Sequence, residues 1–182
     1  MRALAIACLL PALLPAQSGD WANPVKKVLQ SGGVVYGGTV TAANLDTAAV
    51  MANAGFDFIW IEGEHGPITL ETTRNIILAT RGAKAVPFTR VPVNELWTAK
   101  RVLDIGSLGV IFPFTSTPEL ARQAVAACRY PPAGLRGAGP GLATLRWPAP
   151  GGYAPWADKN VMVIIIIEQK KAIEQIEEIA AV

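Results

Sequence analysis

The sequence predicts an α/β fold, a (β/α)8 barrel of the TIM type that is incomplete, with about six of its eight strands. Three observations predict it. Runs of apolar, β-branched residues alternate with segments of helical period over short loops, which is the pattern of parallel βαβ units. No G-x-G-x-x-G follows the first strand and no Walker loop occurs anywhere, so the nucleotide-binding open sheets lose their main support. Finally, polar residues gather just beyond the carboxyl ends of the strands, the edge that carries the chemistry in barrels.

The elements follow in order. Trp21 to Gln30 reads as a short helix stopped by Ser31-Gly32-Gly33, and Val34 to Val40 as the first strand. Leu45 to Ala54 is helical and Gly55 closes it. Phe56 to Ile61 is the central strand, apolar on both faces. Thr69 to Arg81 is a helix with Leu70, Thr73 and Ile77 on one side. Ala85 to Thr89 is a strand, and Asn94 can cap a helix that runs through Ile105. In that helix Leu96, Ala99 and Leu103 share a face. Leu108 to Phe112 is a strand, and Thr117 to Ala127 is a helix with Pro118 in its first turn. Pro131 to Gly152 lacks a clear period and is expected to hold only a short strand near Leu135. Val161 to Ile167, the most β-branched run, is the last strand, and Gln169 to Val182 the last helix.

Bulk properties narrow the function. At 182 residues and 51% hydrophobic content the chain can bury one domain's core. A formal charge of +2, with no basic run longer than a pair, argues against nucleic acid as a partner. Residues 1–16 carry Arg2, then an apolar stretch from Ala3 to Leu14, then Pro15-Ala16 before Gln17. That order is expected of a secretory signal, leaving residues 17–182 as the barrel domain and an exported product with no membrane span. Cleavage after Ala16 would remove Cys8 and leave Cys128 alone, so no internal disulfide is expected.

The chemistry concentrates at three strand ends. Phe56 to Ile61 breaks off into Glu62-Gly63-Glu64-His65-Gly66, and His65 is the chain's single histidine. Arg90 follows the strand at Ala85 to Thr89, and Glu168 follows Val161 to Ile167. A histidine beside acids suits proton transfer. Arginine and carboxylate contributed by separate loops complete a set of the kind found at the top of a barrel.

These residues and their surroundings resemble the HpcH/HpaI aldolase/citrate lyase family, metal-dependent pyruvate aldolases with a phosphoenolpyruvate/pyruvate-like barrel. The matching pieces are Ala54-Gly55-Phe56-Asp57 with Glu62-Gly63-Glu64-His65, Thr89-Arg90-Val91-Pro92, Val102-Leu103-Asp104-Ile105-Gly106, the string Arg129-Tyr130-Pro131-Pro132-Ala133-Gly134-Leu135-Arg136-Gly137, and Ile167-Glu168. The resemblance covers residues 25–182. It implies a carbon–carbon lyase that cleaves a 2-keto-4-hydroxy acid, such as a 4-hydroxy-2-oxo acid or 2-dehydro-3-deoxyglucarate, to pyruvate and an aldehyde.

In that reading His65 moves a proton, Arg90 holds the keto-acid carboxylate and steadies the enolate, and Asp104 supports the site. Glu62 stands where the family often has aspartate and is expected to partner the histidine. Gly137, in a loop at the barrel mouth, is expected to contact substrate. Glu168 is expected to ligate a divalent cation, Mg²⁺, Mn²⁺ or Co²⁺, which hard oxygen ligands suit. A Schiff-base route fits poorly, since Lys170 and Lys171 lie inside the last helix. The family's second metal-ligand aspartate lies in a segment beyond the residues of this chain, and its full-length members imply a homo-oligomer, trimeric or hexameric.

Two other readings stay open. One is a catalytically silent keto-acid-binding protein. The other is a hydroxyacyl-CoA lyase on a related barrel, although no adenine-nucleotide motif is present. Among the remaining features, Gly134, Gly137, Gly139 and Gly141 with Arg136 could mimic a phosphate loop, but no helix is expected directly after them. Trp147, Tyr153 and Trp156 could line a sugar or aldehyde site or simply pack. Cys128 reads as a buried structural thiol, and Glu174, Glu177 and Glu178 as a solvated helix face.

Overall fold

The computed structural model describes residues 21–182, so the leader expected at residues 1–16 lies outside the described residues. Five strands form one parallel sheet in sequential order: β1 Gly37–Val40, β2 Phe58–Glu62, β3 Val86–Arg90, β4 Gly109–Phe112 and β5 Met162–Ile165. Helices α1 Pro24–Gln30, α2 Leu45–Asn53, α3 Leu70–Ala79, α4 Leu96–Asp104 and α5 Pro118–Cys128 alternate with the first four strands. Then come α6 Gly141–Arg146 and α7 Tyr153–Asn160 before β5, and α8 Lys170–Ile173 and α9 Ile176–Ala180 after it. Sequential parallel strands with intervening helices make a partial barrel wall.

Local chemistry sets the helix starts. Asn23 accepts the Val25 and Lys26 N–H groups and Pro24 opens α1. Asn44, Thr69 and Thr117 cap α2, α3 and α5 through the N–H groups of Thr47, Thr72 and Leu120. The expected cap of α4 is corrected. Glu95 holds that position without a side-chain bond, while the Asn94 amide donates to Thr115 Oγ1 and the Leu120 carbonyl, tying the α4 approach to α5.

Three further expectations change. Val34 and Tyr36 fall outside β1 and are exposed. No strand forms near Leu135: the Leu135 and Arg136 N–H groups donate to the Ala126 and Arg129 carbonyls, folding the segment back onto the end of α5. The last helix breaks at Gln175, whose backbone leaves helical geometry, and Ala172 and Ile179 both pack near Ala121.

Two apolar layers hold the wall. One, around Ile59, Ile61, Ile76 and Ile77, lies between β2 and the pair α2 and α3. The larger spans Leu103, Val110, Phe112, Ala124 and Trp147. Strand alternation puts Phe58 and Phe88 on the opposite sheet face, where their rings stack at 5.1 Å. Gly109 makes that possible, because a Cβ there would come within 2.5 Å of the Phe88 ring.

Trp147, Tyr153 and Trp156 pack together, away from the strand ends that carry His65, Arg90 and Glu168, and line no sugar or aldehyde site there. All three are buried, and Trp147 and Trp156 lie 4.9 and 5.6 Å from Trp21. Cys128 is fully buried, and burial pushes its thiol up to about 12, so it is inert as a nucleophile. Among the described residues no helix is long and apolar enough to cross a membrane.

Candidate active site

The site begins with a register. In the parallel pairing of β2 with β3, Glu62 lies directly beside Arg90, so the two strand-end side chains share one face. Glu62 grips the guanidinium with both oxygens: Arg90 Nε donates to Oε1 at 2.9 Å and Nη2 lies 2.7 Å from Oε2. Arg90 Nη1 is 3.1 Å from Glu64 Oε2. All three side chains are largely buried, and the guanidinium also lies 5.6 Å from the centre of the Trp60 ring. Such forked pairing fixes the plane of the guanidinium as well as its position.

Glu62 also shapes the following loop. Its Oε1 accepts the backbone N–H groups of Glu64 at 2.8 Å and His65 at 3.0 Å, and its Oε2 accepts the Trp60 indole N–H. Burial acts to raise this carboxyl. The hydrogen bonds from Arg90, His65 and Glu64, with the Arg90 charge, outweigh burial and hold it below the ordinary range.

Glu62 therefore partners the histidine through its backbone N–H. Glu62 meets the main chain of His65, because its oxygens are already occupied by Arg90 and the turn. The ring stands mostly in solvent with Nε2 3.5 Å from Glu64 Oε2. Glu64 is thus the carboxylate that links the imidazole to the arginine.

Gly63 lets the loop pass. Its N–H donates to the Arg90 carbonyl at 3.1 Å, and a Cβ at this position would collide with that same oxygen. Gly63→Ala is expected to push the Glu64–His65 turn off β3 and cost about 1–3 kcal/mol of stability. The drop should appear in a denaturant titration with an unchanged slope. An unchanged midpoint would show that the turn does not depend on this close approach.

Glu168 lies past the end of β5 and is exposed. Its Oε1 accepts the Phe114 N–H at 2.6 Å. Phe114 is the one non-glycine residue with positive φ among the described residues, at 50°, a conformation that persists only where contacts hold it. Nothing in the sequence marked Phe114, since its role rests on backbone shape and its own N–H. The neighbouring Gln169 is tied to the Ser116 hydroxyl at 2.7 Å.

His65 and Glu168, just past β2 and β5, and Arg90, the last residue of β3, therefore lie at one edge of the sheet. Asp104 and Gly137 do not join them. A helix between parallel strands runs back along the sheet, so Asp104, at the far end of α4, lies about 14 Å from that helix's start, at the opposite edge. There it accepts from Arg136 Nη2 at 3.0 Å. Gly137 lies against Lys100 of α4, and Gly139 packs against Asp104, so the glycine-rich loop is not at the barrel mouth. A six-residue helix, α6, does open at Gly141, correcting the expectation that none would.

A cavity of about 210 Å³ lies between α3 and α4, lined mainly by Ile68, Leu70, Thr73, Thr89, Thr98 and Val102. Thr89 points to the helix side of β3, and Gly63 and Arg90 border the cavity where it meets the strand ends. The fit of a metal rests on Glu168 and the local charge. Glu62, Glu64 and Glu168 bring three carboxylates to one edge against the single guanidinium of Arg90. A divalent cation would offset that surplus. Among the described residues no three His, Cys, Asp or Glu side chains gather as a complete metal cluster. Glu168 thus fits as one ligand, with a hard oxygen at an exposed position.

Residues 39–182 match the model of the HpcH/HpaI aldolase/citrate lyase family. The chain belongs to that family. It is 36% identical over 163 residues to a hydroxypyruvate/pyruvate aldolase of Roseobacter denitrificans, covering 88% of this chain and 63% of that protein. It is 39% identical over 164 residues to a 4-hydroxy-2-oxovalerate aldolase of Novosphingobium aromaticivorans, covering 88% and 61%. The crystal structure of an HpcH/HpaI aldolase/citrate lyase family protein from Burkholderia cenocepacia superposes with a TM-score of 0.78 at 29% identity, covering 88% and 65%. The chain therefore spans a little under two thirds of each of these relatives. The partial TIM-type wall expected from the sequence is present, with five strands among the described residues in place of six, and it superposes on the Burkholderia cenocepacia protein.

Proposed function

We propose that this family member carries the keto-acid end of a pyruvate aldolase site, cleaving a 2-keto-4-hydroxy acid to pyruvate and an aldehyde. The observation that carries the reading is the Arg90 guanidinium, held in plane by Glu62 and Glu64 at the carboxyl edge of the sheet. Three of its five N–H donors face those two carboxylates, and two remain for a substrate carboxylate or an enolate oxygen. Because the arginine is fixed before substrate arrives, little reorganisation is needed as charge develops.

His65, exposed and next to Glu64, can reach a substrate hydroxyl from the solvent side and take its proton as the carbon–carbon bond breaks. The electrons of that bond pass to the pyruvate fragment as an enolate, which regains a proton to give pyruvate. Glu62 is a positioning residue, orienting Arg90 and the main chain of His65. Glu168 would hold a divalent cation, Mg²⁺, Mn²⁺ or Co²⁺, which supplies Lewis-acid polarisation of the keto acid. Export through residues 1–16 and assembly into a homo-oligomer belong to the same reading, and rest on the leader-like pattern and the family.

The test is pyruvate release from 4-hydroxy-2-oxo acids with Mg²⁺, Mn²⁺ or Co²⁺ and with EDTA. Metal-dependent release is expected, falling about 10²–10⁴-fold in His65→Ala. Keto-acid binding without any release would replace the aldolase reading with a silent binding protein. Absence of both would remove the proposal altogether.

A further inference from the structure

At the opposite edge of the sheet lies a group of cations that the aldolase reading leaves unused. Arg146 closes α6 and is 5% exposed. Its Nη2 donates to the carbonyl and hydroxyl of Thr80 at 3.1 and 3.3 Å, and its guanidinium lies 3.8 Å over the Trp147 ring. Its Nε is buried without an acceptor. Among the described residues no carboxylate pairs with it.

A buried guanidinium without a counter-charge is expensive to keep. Burial lowers the Arg146 guanidinium to about 10, and the charge of Arg81 adds to the shift. Arg146 opens onto a cavity of about 290 Å³ whose walls include Lys84, Trp147, Trp21, Gly82 and Ala85. Lys84 stands at its rim, exposed, with Nζ 2.8 Å from Asp57 Oδ1. Arg146 and Lys84 line the cavity, and Arg81 directly follows Thr80, the residue that Arg146 bonds; against these three cations stands one carboxylate, Asp57, a surplus of two positive charges (3 − 1). The volume is at the lower limit for organic ligands and suits a small ion with its waters.

We propose that this cavity binds a small dianionic oxoanion of the phosphate type, through Arg146 with Lys84 at the rim. The surplus of two charges matches a dianion. A guanidinium without a carboxylate partner offers planar donors of the kind that phosphate oxygens accept. Because β3 begins beside this cavity and ends at Arg90, the anion occupies the sheet edge opposite the keto-acid site and does not compete with it.

Inorganic phosphate tests this by calorimetry and thermal unfolding, against chloride of equal ionic strength. Saturable binding with a rise in melting temperature is expected, unchanged by excess pyruvate. Arg146→Gln should weaken it at least tenfold and Lys84→Ala several-fold. No saturable effect beyond chloride, full binding in a folded Arg146→Gln, or displacement by pyruvate would each overturn the proposal. If Arg146→Gln does not fold, Lys84→Glu decides: a tenfold loss supports the site and unchanged affinity removes it.

Discussion

Arg90→Ala is expected to abolish pyruvate release and to destabilise the fold by about 3–5 kcal/mol, the cost of leaving buried charge unpaired. Arg90 is 13% exposed in its side chain, and it neutralises Glu62 and Glu64 at 6% and 9%. Without it Glu62 keeps only main-chain donors and the Trp60 indole, and Glu64 only the His65 ring at 3.5 Å. The pH dependence separates this cause from simple loss of packing. In the parent protein the Glu62 carboxyl is depressed, so its stabilisation is present above the unfolded carboxyl value, about 4.3, and is lost as pH falls below it. In Arg90→Ala burial governs and the carboxyl rises. The folded state then binds the proton more readily than the unfolded chain, and stability should increase as pH falls from 7 toward 5. Chemical denaturation at pH 7 and pH 5 reads the sign directly. A variant that stays stable at pH 7, with the parent's pH slope, would show that Arg90 does not carry the electrostatics of this edge.

The second large effect is expected far from the chemistry. Trp147→Ala should cost about 3–5 kcal/mol, and at this chain length about 2–4 °C in Tm per kcal/mol. Trp147 is the largest fully buried side chain. It lies against Trp21 at 4.9 Å and Trp156 at 6.1 Å, under the Arg146 guanidinium, and donates its indole N–H to the Gly106 carbonyl at 2.7 Å. Truncation empties that space and strands the carbonyl. Trp147→Phe keeps most of the ring volume and loses the hydrogen bond, so it should cost only about 1–2 kcal/mol. Equal melting temperatures for the two variants would deny the cavity its role.

The local signals in this chain carried far. Strands at Phe58–Glu62, Val86–Arg90 and Gly109–Phe112 are legible because apolar β-branched runs stop at glycine, acid or proline. The helix starts at Thr69 and Thr117 are legible from the periodic runs that follow them, while their capping role, like the failure of Asn94 to cap, shows only in the hydrogen bonds. The placing of His65, Arg90 and Glu168 at one edge follows from strand ends alone. The region from Pro131 to Asn160 was not legible. Its two short helices lack an extended amphipathic period, and their form rests on burying Trp147, Trp156 and Tyr153.

By itself, then, the sequence determined the order of elements, the sheet's parallel sense and the edge that bears the polar residues, since these depend on neighbours along the chain. Only the tertiary structure decided the partners. Register set Glu62 beside Arg90 instead of the His65 ring, and Glu64 beside both. The length and direction of α4 carried Asp104 away to Arg136, and the fold-back onto α5 took Gly137 with it. Loop shape gave Glu168 the Phe114 N–H, and packing left Arg146 buried without a carboxylate. Each of those depends on distances between residues remote in sequence, which spacing along the chain does not encode.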